Sequence, residues 1–102
     1  MYNIKVTELA DEDLDEIIRY IAIDLNAPKA ASDFADAVVA CYEDIQANPK
    51  MFEYSRNPRL RQEGYRRAVV KNYVLLYKVF EDKNEVVVYR IFYERRDYAN
   101  LI

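Results

Sequence analysis

The residues of this chain best suited to chemistry stand together near the C-terminus, in the run Tyr93-Glu94-Arg95-Arg96-Asp97-Tyr98. Two guanidinium groups, two carboxylates and two phenols in six positions suit recognition of a partner, because arginine and tyrosine combine contact area with fixed hydrogen-bond geometry. The plainer reading is a solvated cluster of salt bridges of little energetic worth. Other chemistries lack their residues. The chain has no histidine, which removes the usual proton shuttle and most zinc-site layouts. Cys41 is the sole cysteine, so no intramolecular disulfide forms, and its place within a helical stretch suits a small core residue better than a nucleophile. No metal site and no cofactor are expected.

The elements that must position this run read clearly. Tyr73 to Glu81 and Val86 to Tyr93 are rich in β-branched and aromatic residues and are separated by a short polar connection, which predicts an antiparallel hairpin. Its second strand delivers Tyr93 to Tyr98 to one end of a sheet, where charged groups face a partner without desolvation. Residues 2 to 6 predict a first strand, and Thr7 stands where a helix N-cap would sit. Leu14, Ile17, Ile18, Ile21 and Leu25 recur at steps of three and four, giving an amphipathic helix of about four or five turns. Asn26-Ala27-Pro28 breaks it, with Pro28 placed as an early residue of a second helix striped by Ala31, Phe34, Ala35, Val38, Tyr42 and Ile45. Asn48-Pro49 ends that helix.

Two helices so closely joined lie antiparallel, and neither can bury the other's stripe alone, so a sheet must cover them. Tyr65 to Val70 supplies a further strand after Gly64, the sole glycine, which suits a turn. The expected order is β-α-α-β-β-β, an α+β fold in which a helical hairpin packs on a twisted, mainly antiparallel sheet. At 102 residues there is room for one domain. The third strand is apolar on both faces, Tyr73, Leu75, Tyr77 and Val79 against Val74, Leu76 and Phe80. The second face therefore needs a cover. Residues 98 to 102 can supply part of it, leaving an apolar patch of the kind that marks an interface, unless the basic stretch from Lys50 to Gly64 folds over it.

Charge divides along the chain. Residues 1 to 51 carry four Lys/Arg against eleven Asp/Glu, a net −7, whereas residues 52 to 102 carry eleven against seven, a net +4. The basic half suits local approach to nucleic acid or an acidic helix, while the overall −3 gives no long-range attraction to RNA. No apolar run approaches the roughly 20 residues needed to span a bilayer, and the N-terminus lacks the layout of a secretion signal, so no membrane association and a cytoplasmic location are expected.

Several pieces, in their order and spacing, resemble the RelE/ParE superfamily, the toxins of bacterial type II toxin–antitoxin pairs, also called plasmid stabilisation proteins. They are the helical stretch Asp11 to Ile21, the Asn48-Pro49 break, Tyr65-Arg66-Arg67, the strand from Tyr73 through Tyr77 to Val79, and Arg90 to Asp97. The resemblance spans nearly the whole chain. It implies the same fold, growth inhibition when unopposed, and a cognate antitoxin whose C-terminal segment docks on the sheet as a helix or added strand, in a possible hetero-oligomer.

The resemblance also offers two targets. Members that cleave mRNA on the ribosome drive the ribose 2′-hydroxyl onto the neighbouring phosphate by metal-independent acid–base work, with cations stabilising the charge that builds up. Here Arg66, Arg67, Lys71, Tyr93 and Arg95 would supply that set. Two positions depart from it. Cleaving members commonly carry arginine three residues before the tyrosine matching Tyr77, and here Val74 stands there; they often carry histidine at the end of the last strand, and here Tyr93 stands there. Valine cannot hold phosphate, and a phenol with an ordinary pKa of about 10 is a poor base at neutral pH. The ParE-like branch, which poisons DNA gyrase by binding it, matches the segment Phe92 to Asp97 better. That reading makes Tyr73, Tyr77, Glu94, Arg95, Arg96, Tyr98 and Leu101 the contacts for target or antitoxin. A third reading is an inactive interaction domain or a co-repressor acting with an antitoxin.

Overall fold

The computed structural model describes residues 1–102. Strand β1 (Asn3–Val6) runs directly into helix α1 (Glu8–Arg19) through Thr7. The Thr7 hydroxyl oxygen accepts from the Ala10 amide at 3.1 Å and caps the helix. Its proton goes to the Tyr89 carbonyl at 2.8 Å. One hydroxyl thus starts a helix and fastens it to the sheet. Past Arg19 the helix widens into a π turn, Tyr20–Asp24, where the Leu25 amide reaches back to the Tyr20 carbonyl. Asn26 in the left-handed region, φ 50°, reverses the chain into α2 (Pro28–Ala47), whose first residue is the proline that needs no hydrogen-bond partner there.

After α2 come a short helix α3 (Pro58–Gln62) and strands β2 (Arg66–Val70), β3 (Tyr73–Phe80) and β4 (Glu85–Tyr93). The spatial order is β1-β4-β3-β2, with β1 parallel to β4 and the other pairs antiparallel. The helical hairpin and mainly antiparallel sheet are those the sequence predicts. β1 pairs only with the first part of β4, Glu85 to Val88. Beyond it, side chains of α1 satisfy the strand edge: the Asp13 carboxylate accepts from the Ile91 amide at 3.0 Å and from Arg90 at 2.8 and 3.0 Å.

The main core lies between helices and sheet and includes Ala10, Phe34, Val38, Ile45, Leu75, Tyr77, Val86, Val88 and Ile91. Val86 and Val88 are two apart, but Val88 and Ile91 are three apart. The pairing explains the step, since Leu76 faces Arg90 whereas Tyr77 faces Val88, leaving Tyr89 as an extra residue in a β-bulge. Without that bulge Ile91 would leave the core and Phe92 would enter it.

The second face of the sheet departs from the expected open patch. Leu60, Tyr65, Val74, Leu76 and Phe92 form a second buried cluster there, with Tyr89, Tyr98, Ala99 and Ile102 packed against it. The stretch expected as an exposed basic loop supplies Leu60, which is wholly buried. Within that stretch Asn57 and Pro58 are an N-cap and first helical residue: the Asn57 side-chain oxygen accepts from the Leu60 amide at 3.1 Å. Gly64, at φ 92°, then returns the chain to β2, so the expected glycine turn is present. No helix is long and apolar enough to cross a membrane.

Candidate functional site

The segment after β4 is held from both ends. The Glu94 amide donates to the Asn72 carbonyl at 2.8 Å in the β2–β3 turn, and the Arg96 amide donates to the Tyr93 carbonyl at 3.0 Å. Further on, Tyr98 stacks on Phe92 with ring centroids 5.3 Å apart and planes within 9°. A 3-10 turn, Ala99–Leu101, ends the chain. Arg59 donates to the carbonyls of Ala99 and Ile102, and Arg90 to that of Leu101. Leu101 itself is exposed. The run from Tyr93 to Tyr98 is consequently an ordered loop rather than a free tail.

Beside it, a groove of about 690 Å³ opens between the end of the helical hairpin and the end of the sheet. Tyr20, Leu25 and Phe34 form its helical wall, and Tyr73 and Tyr93 its sheet wall, with Lys71 at the rim. Phe34 and Tyr73 meet at 5.0 Å, Tyr73 and Tyr93 edge to face at 5.7 Å. A smaller hollow bordered by Asp13, Glu16 and Arg96 shares Tyr20, Tyr73 and Tyr93, so the groove continues along the part of β4 that β1 does not pair. The π turn carries Tyr20 into this wall, and Tyr20, Leu25 and Tyr93 are all exposed. The sequence carries no clear signal of this, since Tyr20 stands on the flank of its helix's apolar stripe, three residues after Ile17, and single exposed aromatics are ordinary there.

The candidate residues separate into three groups. Lys71 and Tyr93 line the groove, Arg96 borders the hollow beside it and Arg95 precedes Arg96 in the loop; all four are exposed, and none of the three cations has an ion-pair partner. Tyr73 lines the groove, and burial followed by the neighbouring Tyr20 and Tyr93 phenols raises its pKa, which keeps the phenol protonated at neutral pH and unable to act as a base there. Arg66 lies at the opposite end of β2. It donates to the Phe52 carbonyl at 2.8 Å and covers the Tyr54 ring at 4.0 Å. The cleft there also holds the Lys50–Glu81 ion pair.

Two candidates are withdrawn from any partner by packing. Arg67, expected in a catalytic set, is 8% exposed and donates to Glu53 at 3.0 Å and to Glu94 at 2.9 Å. Its charge is consumed internally, and Glu94 is committed to it. Tyr77, expected at a contact surface, is wholly buried and donates its hydroxyl proton to the Pro49 carbonyl at 2.6 Å. Burial pushes its pKa upward. Its face of β3 is the helix-covered face, so it packs the core. Among His, Cys, Asp and Glu side chains no group is placed to hold a metal ion.

The comparisons agree with this architecture. The family model described as the ParE toxin of type II toxin-antitoxin system, parDE, matches residues 4–98. No curated protein matches the chain. Among solved structures, a chain of the chromosomal ParDE toxin–antitoxin system from P. aeruginosa is similar at a TM-score of 0.72 and 24% identity, covering 91% of this chain and 96% of that one. A chain of the RelBE2 toxin–antitoxin complex from Mycobacterium tuberculosis is similar at 0.63 and 22%, covering 90% and 96%. The isolated E. coli RelE toxin is similar at 0.59 and 13%, covering 99% and 93%. With the helical hairpin, the four-stranded sheet and a family match over almost its whole length, the chain belongs to the ParE toxin family of type II toxin–antitoxin systems.

Proposed function

We propose that the chain inhibits growth by binding DNA gyrase through Tyr93, Arg95 and Arg96, and that an antitoxin segment neutralises it by occupying the tyrosine groove beside them. The observation that carries this reading is that only two of the four cations expected in a catalytic set, Lys71 and Arg95, are left exposed and unpaired. Strand β2 separates Arg66 from Lys71 by roughly 16 Å at the usual rise per residue, and Arg67 between them is neutralised by two carboxylates. Cleaving RNA requires base, acid and cation within hydrogen-bond reach of one phosphate. Binding requires only a shaped surface. Free cations beside an apolar aromatic groove supply that, with Tyr93 shared between groove and loop.

An antitoxin lying in the groove would cover Tyr93 and so occlude the loop. The similar solved structures include toxin–antitoxin complexes, which supports an antitoxin as partner here. The test is supercoiling by purified gyrase, with and without the chain, alongside RNA profiling after induction in a bacterium. Lost supercoiling with intact mRNA is the expected result. Translation-dependent mRNA cuts with normal supercoiling would overturn it in favour of ribosome-dependent cleavage.

A further inference from the structure

We infer that Arg67 is a positioning residue: buried beneath the C-terminal loop, it fixes the geometry in which Tyr93, Arg95 and Arg96 are presented. This rests on the reading of that loop as the target-facing segment. A guanidinium cannot be deprotonated in a protein and is costly to bury unless its donors are matched. Here they are matched by carboxylates from two segments far apart in sequence, Glu53 before α3 and Glu94 at the root of the loop.

The backbone repeats the connection. The Arg67 amide donates to the Glu53 carbonyl at 3.0 Å, and the Glu94 amide to the Asn72 carbonyl at 2.8 Å. Both the main chain and side chain of Glu94 are therefore tied to the β2–β3 hairpin. Glu94 is followed at once by the two arginines that have no carboxylate of their own. Glu94 and Asp97 are the acids nearest to them in sequence, and the first is held by Arg67. Were Arg67 absent, Glu94 would be free to pair with Arg95 or Arg96 and to neutralise the surface. Arg67 thus does two things: it orders the root of the loop, and it keeps the adjacent carboxylate from its neighbours. Ordering before binding removes an entropic cost from association.

Three full-length variants test this: Arg67→Lys, Arg67→Met and Glu94→Gln. Amide hydrogen exchange reads the loop at Glu94 and Arg96 and the body at the central residues of β3, and growth arrest on induction reads function. In Arg67→Met and Glu94→Gln we expect exchange at Glu94 and Arg96 to rise by about tenfold or more while β3 is unchanged, the behaviour of a local rather than global opening. Growth arrest should weaken in the order wild type, Arg67→Lys, Arg67→Met. Glu94→Gln keeps the shape of the partner and guards against a folding failure of the arginine variants. Unchanged exchange in the loop overturns the inference, as does faster exchange with undiminished growth arrest, or an equal rise throughout β3 in Glu94→Gln. A wild-type chain that does not arrest growth removes the toxin reading itself, and that failure is visible before any variant is compared.

Discussion

At the scale of single residues, the same side-chain type has opposite roles according to what surrounds it. Tyr93 stands in the groove wall and is exposed, whereas Tyr77 is buried against Pro49. Replacing Tyr77 by Phe leaves the Pro49 carbonyl without its donor in a dry site and should cost about 1–2 kcal/mol of stability in urea titration; antitoxin affinity should not move, and a selective loss of affinity would restore Tyr77 as a contact. Cys41 behaves as the small core residue its sequence context suggests. Burial, and secondarily Asp44, pushes its thiol to about 11. At pH 8 only about one thiol in a thousand is then ionised, so iodoacetamide should modify Cys41 only after unfolding. Alkylation of the native chain at the rate of a free cysteine would contradict that packing. Residue types located the charged run from Tyr93 to Tyr98, but they could not tell which arginines are free. Arg66, Arg67, Arg95 and Arg96 look alike in sequence, and only the positions of Glu53, Glu94 and Tyr54 in space separate the bound pair from the open pair.

At the scale of elements, the helices and the hairpin are legible because each carries a long periodic signal and its own boundary residue. Thr7, Pro28, Asn48-Pro49 and Gly64 mark ends where the structure has them. Features created by pairing rather than by local preference are not legible. The bulge at Tyr89 leaves no mark on a run of β-branched and aromatic residues, although it decides that Ile91 faces the core. The helix at Pro58–Gln62 is too short for a period, and its signal, asparagine before proline, serves turns equally well. Thr7 shows how much one boundary residue can hold: its hydroxyl caps α1 and anchors it to β4. Thr7→Ala should therefore cost about 2 kcal/mol, the upper end for a cap, in thermal or urea unfolding. A loss within the few tenths expected of a surface substitution would show that the two bonds are not both made in solution.

At the scale of the whole molecule, the split of charge becomes a division of surfaces. The acidic helices lie on one side of the sheet, and three unpaired cations, Lys71, Arg95 and Arg96, accompany the exposed Tyr93 at one end of it. The second sheet face, which the sequence leaves open for a partner, is closed by Leu60 and the C-terminal residues, and the open apolar surface is displaced to the end of the helical hairpin. That displacement could not be read from the chain because both sides of β3 are equally apolar. On the function proposed above, the antitoxin then docks in the groove and the loop after β4 is left for a target. The central claim is that this toxin fold works by binding rather than cleavage. Its most direct test is gyrase supercoiling with purified wild type and with the double variant Arg95→Ala, Arg96→Ala, whose positions are exposed and should alter stability by no more than about 0.5 kcal/mol. The account predicts inhibition by the wild type and its loss in the folded double variant. Undisturbed supercoiling with wild type, accompanied by cut mRNA in growth-arrested cells, would contradict it.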